Sequence, residues 1–191
     1  MEINEMIARA EQMSHEYVDG RFRNKTDHTG AFRSVQLVEQ YAFKATTRQN
    51  QASVNWSEWD FYTMTTDEIR AKLCKPVYIS QNGNVLVMER LERARDSKTL
   101  PWDAVNNAAT ELDQMTEAQY GFCIGDLHGG NWGVTKSGLL LALDYGAMEY
   151  QARRWLWNNW TDEKAKKPRY AENAPYHKEN MAQMLLTNQG N

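Results

Sequence analysis

The chain has 191 residues, a formal net charge of −3 and 41% hydrophobic residues, with seven Trp, nine Tyr and five Phe. That is enough apolar mass for one domain, or for two small lobes sharing a cleft. No basic run is long enough to form a nucleic-acid footprint, and no apolar run approaches the roughly 20 residues that span a bilayer. Cys74 and Cys123 lie far apart and without metal-ligand spacing, which fits buried free thiols in a reducing compartment. The opening Met-Glu-Ile-Asn-Glu-Met-Ile lacks the basic and apolar regions of a signal peptide, so a soluble cytoplasmic protein is expected.

Ile3, Met6, Ile7, Ala10, Met13 and Tyr17 recur at three- and four-residue spacings. They predict an amphipathic helix over residues 3 to 18, either packed on the domain or meeting another copy. Residues 30 to 46, rich in Val, Leu, Tyr and Phe, predict strands with a tight turn at Glu39-Gln40. Lys44 stands between apolar strand neighbours, where it either points into a cleft or, as edge-strand lysines commonly do, faces water. A helix is expected from about Val54 to Met64, with Ser53 or Asn55 as its N-cap. Glu58 lies on or beside the face of this helix that turns inward with Phe61 and Tyr62, while Asp60 is expected in solvent. Thr65 to Glu68 reads as a capping box that opens a short helix to Leu73.

Asn82-Gly83 joins two β-rich runs, 76–81 and 84–88, and is the strongest short hairpin signal in the chain. Residues 92 to 101 are charged and end in Pro101, as a linker would. From Trp102 to Gln119 the positions of Val105, Ala108, Ala109, Leu112 and Met115 predict a helix with one apolar side.

The segment from Gly125 to Gly146 carries the chemistry. Asp126 and Asn131 lie in a loop too rich in glycine to hold a helix, and the run Leu139 to Leu143 reads as a short strand that delivers Asp144 to a Tyr145-Gly146 turn. Two carboxylates and an amide at the ends of adjacent strands suit a hard divalent cation, magnesium in particular, with a phosphate as its further partner.

Asp126-Leu127, Asn131 and Asp144-Tyr145-Gly146 resemble the catalytic core of the protein-kinase-like superfamily, in which Asp-Leu-x-x-x-x-Asn is followed by Asp-Phe-Gly. The resemblance covers roughly residues 25 to 150. It implies an α+β, two-lobed kinase-like fold with a small antiparallel-sheet N-lobe over residues 1–91 and a truncated helical C-lobe over 92–191. It implies ATP and Mg2+ as ligands, and transfer of the γ-phosphate to a hydroxyl. Asp126 would accept the hydroxyl's proton, Asn131 and Asp144 would hold magnesium, and Lys44 would meet the phosphates with Glu58 holding it ready. Gly30, Phe32 and Val35 fall where the phosphate loop has its second glycine, its aromatic tip and its valine; His28 and Arg33 stand at the other two glycine positions. Met88 would line the base pocket and Glu89 would begin the hinge that meets adenine.

Ile124-Gly125 stands where regulated protein kinases have His-Arg, and Asp126-Leu127-His128 is more similar to kinases of aminoglycosides, choline and other small alcohols. Residues 147–191 leave no room for the extra helices that build a small-alcohol pocket, so a protein acceptor, the chain itself included, is expected. Small kinases of this type occur in phage genomes, and a phage origin with action in the host cytoplasm would fit. A rival reading is a kinase-shaped binding or inhibitor protein without turnover, which two missing loop glycines favour. A third is a two-metal phosphoesterase, because Gly125-Asp126-x-His128-Gly129 resembles the opening of such sites, but that chemistry needs further histidines and the chain has four in all.

Overall fold

One small antiparallel sheet, with a helix laid on each face, organises the part of the chain described by the computed structural model: residues 1–18, 28–29, 33–46, 52–97, 100–146 and 155. Among the described residues the class is mixed α+β, with four α-helices and a second, smaller sheet. The main sheet contains β1 (His28–Thr29), β2 (Arg33–Val38), β3 (Tyr41–Thr46), β4 (Pro76–Ile79) and β5 (Val85–Glu89), in the order β1-β2-β3-β5-β4. The turn between β2 and β3 falls at Glu39-Gln40 as expected, with Glu39 at a φ of 50°. At the Asn82-Gly83 hairpin, Gly83 takes a φ of 72°, a region costly for any residue with a Cβ.

Strand alternation divides this sheet into two faces. On one, Phe43, Ala45, Val85 and Val87 are buried against Met6, Ala10 and Met13 of α1 (Ile3–Val18). The predicted helix therefore packs on its own sheet, although Ile3 remains 56% exposed. On the opposite face lie Val35, Lys44 and Leu86, which sit side by side in the register Val35↔Lys44↔Leu86, together with Arg33 and Met88 further along the strands.

Against that second face packs α2 (Ala52–Met64). Two expectations need correction here. Ser53 and Asn55 are not caps but buried residues inside the helix, and Asp60 is fully buried rather than solvated. The reason is that α2 is enclosed on most of its circumference, so polarity does not mark its outer side. Its buried polar groups find partners instead: Asn55 Nδ2 donates to the Gly83 carbonyl at 2.9 Å.

Thr66, one residue later than expected, caps the four-residue α3 (Asp67–Arg70) by accepting from the Ile69 N–H, while the Thr65 hydroxyl pairs with the Tyr120 hydroxyl at 3.1 Å. The expected linker contains structure: Glu92–Arg93 forms β6, pairing with β7 (Trp132–Val134), which pairs in turn with β8 (Leu140–Ala142). Between β6 and β7 runs α4 (Trp102–Tyr120), ending at Gly121 in the left-handed region with a φ of 77°. Phe61, Tyr120, Phe122, Tyr145 and Trp155 form a ring cluster that ties α2 to α4 and to the segment after β8. Among the described residues no helix is long and apolar enough to cross a membrane.

Candidate active site

Lys44 lies mid-strand in β3, flanked by Phe43 and Ala45, which face α1; alternation sends Lys44 the other way, toward α2. There its Nζ donates to Glu58 Oε1 at 2.6 Å and to the carbonyl of Leu143, the residue before Asp144. Glu58 has no solvent exposure, so the pair is a buried one. The second Glu58 oxygen accepts from Arg33, whose other terminal nitrogen donates to Asp144 Oδ1. Arg33 Nη1 also reaches Asn55 Oδ1 at 3.3 Å. Two cations and two carboxylates thus form one continuous network from β2 through α2 to the end of β8.

The glycine-rich loop joins the same network through its backbone. Leu143 N–H donates to the Asn131 carbonyl at 2.7 Å, and Asn131 Nδ2 donates to the Asp126 carbonyl at 2.7 Å. Asp126 is in the left-handed region at a φ of 51°, which Asp tolerates better than most residues, directly after Gly125 at 75°. Asp113 of α4 fixes the approach by accepting from the Ile124 N–H at 2.9 Å. The Asp126 side chain is left 58% exposed, with His128 Nε2 at 3.8 Å from its Oδ1. His128 Nδ1 accepts from the Gly130 N–H at 3.0 Å, so that ring nitrogen braces the loop. Trp102 lies against Gly129: a Cβ there would sit 2.3 Å from its ring.

The charges respond to this crowding. Burial works against the charged form of Asp144, but Arg33 and Lys44 outweigh it, with the Gly146 N–H adding to them, and the carboxyl lies below its ordinary value. Burial likewise opposes the Arg33 guanidinium, and Asp144 and Glu58 outweigh it to hold the pKa above that of a free arginine. Cys74, beside the network, is pushed up to about 12, chiefly by burial, and is no nucleophile in this state.

Lys44, Glu58, Asp126, Asn131 and Asp144, nominated from sequence, are thus connected within one network. Val35 sits directly across from Lys44 on the same face. Met88 shares that face but is closed into the core with Leu86 and Phe61 at 1% exposure. Glu89 ends β5 with its side chain exposed and its N–H given to the Lys75 carbonyl at 3.3 Å. Gly30 and Phe32 lie outside the described residues. Asn55, Asp113 and above all Arg33 were not nominated; only the basic residue at a glycine position hinted at Arg33.

For a divalent cation the donors are the Asp144 carboxylate and the Asn131 amide oxygen, since Asn131 Nδ2 is already used. They fit a magnesium ion in kind, and a positive charge, the Arg33 guanidinium, already lies against Asp144. Among the described residues there is no group of three or more His, Cys, Asp or Glu side chains that could hold a metal ion. No family model matches the chain, and no curated protein is significantly similar to it.

Proposed function

We propose that this protein is a minimal kinase-like phosphotransferase that moves the γ-phosphate of ATP to a hydroxyl on a protein, the chain itself included. In this reading the main sheet with α1 and α2 is the nucleotide lobe, and β6, α4, β7 and β8 belong to the second lobe. The observation that carries it is the hydrogen-bonded path Glu58–Lys44–Leu143–Asn131–Asp126, which puts the strand lysine one residue from Asp144 and the proton-accepting aspartate on the same scaffold.

Each residue then has a task set by its surroundings. Lys44, fixed by Glu58, presents its ammonium to the α- and β-phosphates. Asp126, exposed at a left-handed backbone position, accepts the proton of an incoming hydroxyl at a carboxylate oxygen. Asn131 and Asp144 would hold Mg2+, which supplies neutralisation of phosphate charge when bound. Trp102 and His128 flank the loop where an acceptor segment would lie. Phosphoryl transfer depends mainly on positioning and charge, so few residues suffice.

One observation favours the rival, a kinase-shaped binding protein without turnover: Arg33 neutralises the carboxylate that the reaction needs. Incubation with magnesium and labelled ATP separates the two. The wild type is expected to transfer label to itself or to an added protein, and Asp144→Asn to lower the rate at least about a hundredfold, within the range set by loss of electrostatic stabilisation. Equal signal from both proteins would refute transfer at this site.

A further inference from the structure

Arg33 opens β2, at a position where the resemblance puts a glycine, and its side chain is 5% exposed. A glycine there would leave the backbone near a phosphate; an arginine brings its own charge instead. That charge is fully used. The guanidinium reaches Glu58, Asn55 and Asp144, residues 25, 22 and 111 positions away in the chain. The network is closed and neutral, with Arg33 and Lys44 against Glu58 and Asp144. Its four members are not equally deep: Glu58 is 0% exposed and Lys44 7%, whereas Asp144 is 35% exposed. The Arg33–Asp144 contact is therefore the one that water and ligands can reach.

Charge balance determines what can open it. A divalent cation arriving alone at Asp144 would meet two buried positive groups with no new anion between them. A nucleotide arriving alone could draw Arg33 to its phosphates only by leaving the Asp144 carboxylate bare beside them. When both arrive together, every charge keeps a partner: the carboxylate takes the metal and the guanidinium takes a phosphate, which it can grip with two parallel N–H donors. We propose that Arg33 guards Asp144 as a resident cation and is handed to a nucleotide phosphate when a divalent metal takes its place, so that metal and nucleotide are admitted only together. This rests on the reading of the site as a nucleotide site. It adds that Arg33 is a phosphate ligand and makes the two binding events one coupled event.

The test measures binding, not turnover. Manganese binding is read by electron paramagnetic resonance without nucleotide, and ATP binding by tryptophan fluorescence with EDTA and with manganese, for the wild type, Arg33→Gln and Asp144→Asn. The wild type is expected to bind manganese and ATP together and each alone far more weakly. Arg33→Gln should bind manganese alone more tightly than the wild type, and Asp144→Asn should bind metal-free ATP more tightly because Arg33 is released; both gains are expected at roughly 5- to 150-fold, the ordinary span of coupling between sites. If the wild type binds manganese with ATP but neither variant shows its gain, the guard is refuted and the nucleotide site stands. If the wild type binds no nucleotide under any condition, both fall. Should Arg33→Gln fail to fold, the nearly isosteric Asp144→Asn decides alone: no tightening toward metal-free ATP overturns the proposal.

Discussion

At the scale of single residues, the Arg33–Asp144 pair makes stability depend on pH with a definite sign. The folded pKa of Asp144 is depressed below the roughly 3.9 of a free aspartate, because Arg33 and Lys44 outweigh the effect of burial. Between the two values the unfolded chain carries the proton and the folded chain does not, so this contribution is complete above the unfolded value. It is lost as pH falls through the folded one. Other carboxylates titrate in the same range, and the informative quantity is the stability difference between wild type and Asp144→Asn. Urea unfolding at a series of pH values should show that difference constant from about pH 7 to pH 5 and shrinking below about pH 4. A difference that stays flat down to pH 3 would mean that the pair does not form in solution.

At the scale of elements, the site depends on how closely the segment after β8 lies on α2. A Cβ at Gly146 would fall 2.4 Å from the Val54 carbonyl oxygen and 2.9 Å from Glu58 Oε2. The first of these is helix backbone, which cannot turn aside as a side chain can. Gly146→Ala is expected to cost about 1–3 kcal/mol of stability through overpacking, read from the urea midpoint. A change under about 0.5 kcal/mol, the scale of an uneventful surface substitution, would contradict this contact. The elements that were legible in the sequence share one property: local pattern decided them. Apolar residues either side of Lys44, Asn82-Gly83 and the period of α4 each fix their own neighbourhood. What was not legible depended on distant partners. Asn55 reads as a cap and Asp60 as a solvated carboxylate, yet both are buried because the sheet and the ring cluster enclose the helix. Glu92–Arg93 is too short to announce a strand and becomes one only by pairing with β7. Arg33 meets Asp144 across 111 positions, a contact for which no local pattern exists.

At the scale of the whole molecule, the sheet is covered on both faces, which explains why β5 reads as the unbroken apolar run Val85-Leu86-Val87-Met88 instead of alternating with polar residues. Its two sides have separate duties. Val85 and Val87 meet α1, while Leu86 and Met88 belong to the core around Phe61 and the site. α1 is thus the back wall of the lysine strand: Met6, with no exposed surface, packs with Phe43 and Ala45, the two residues that flank Lys44. Met6→Ala should therefore lower the unfolding free energy by about 2–5 kcal/mol, the range for truncating a large buried side chain. The dependence on denaturant concentration should stay unchanged, because the same surface is exposed on unfolding. A helix merely resting on the surface, or ordered only by contact with another copy, would give a loss below about 0.5 kcal/mol in dilute solution. That smaller loss would detach α1 from the wall that holds Lys44 toward Glu58.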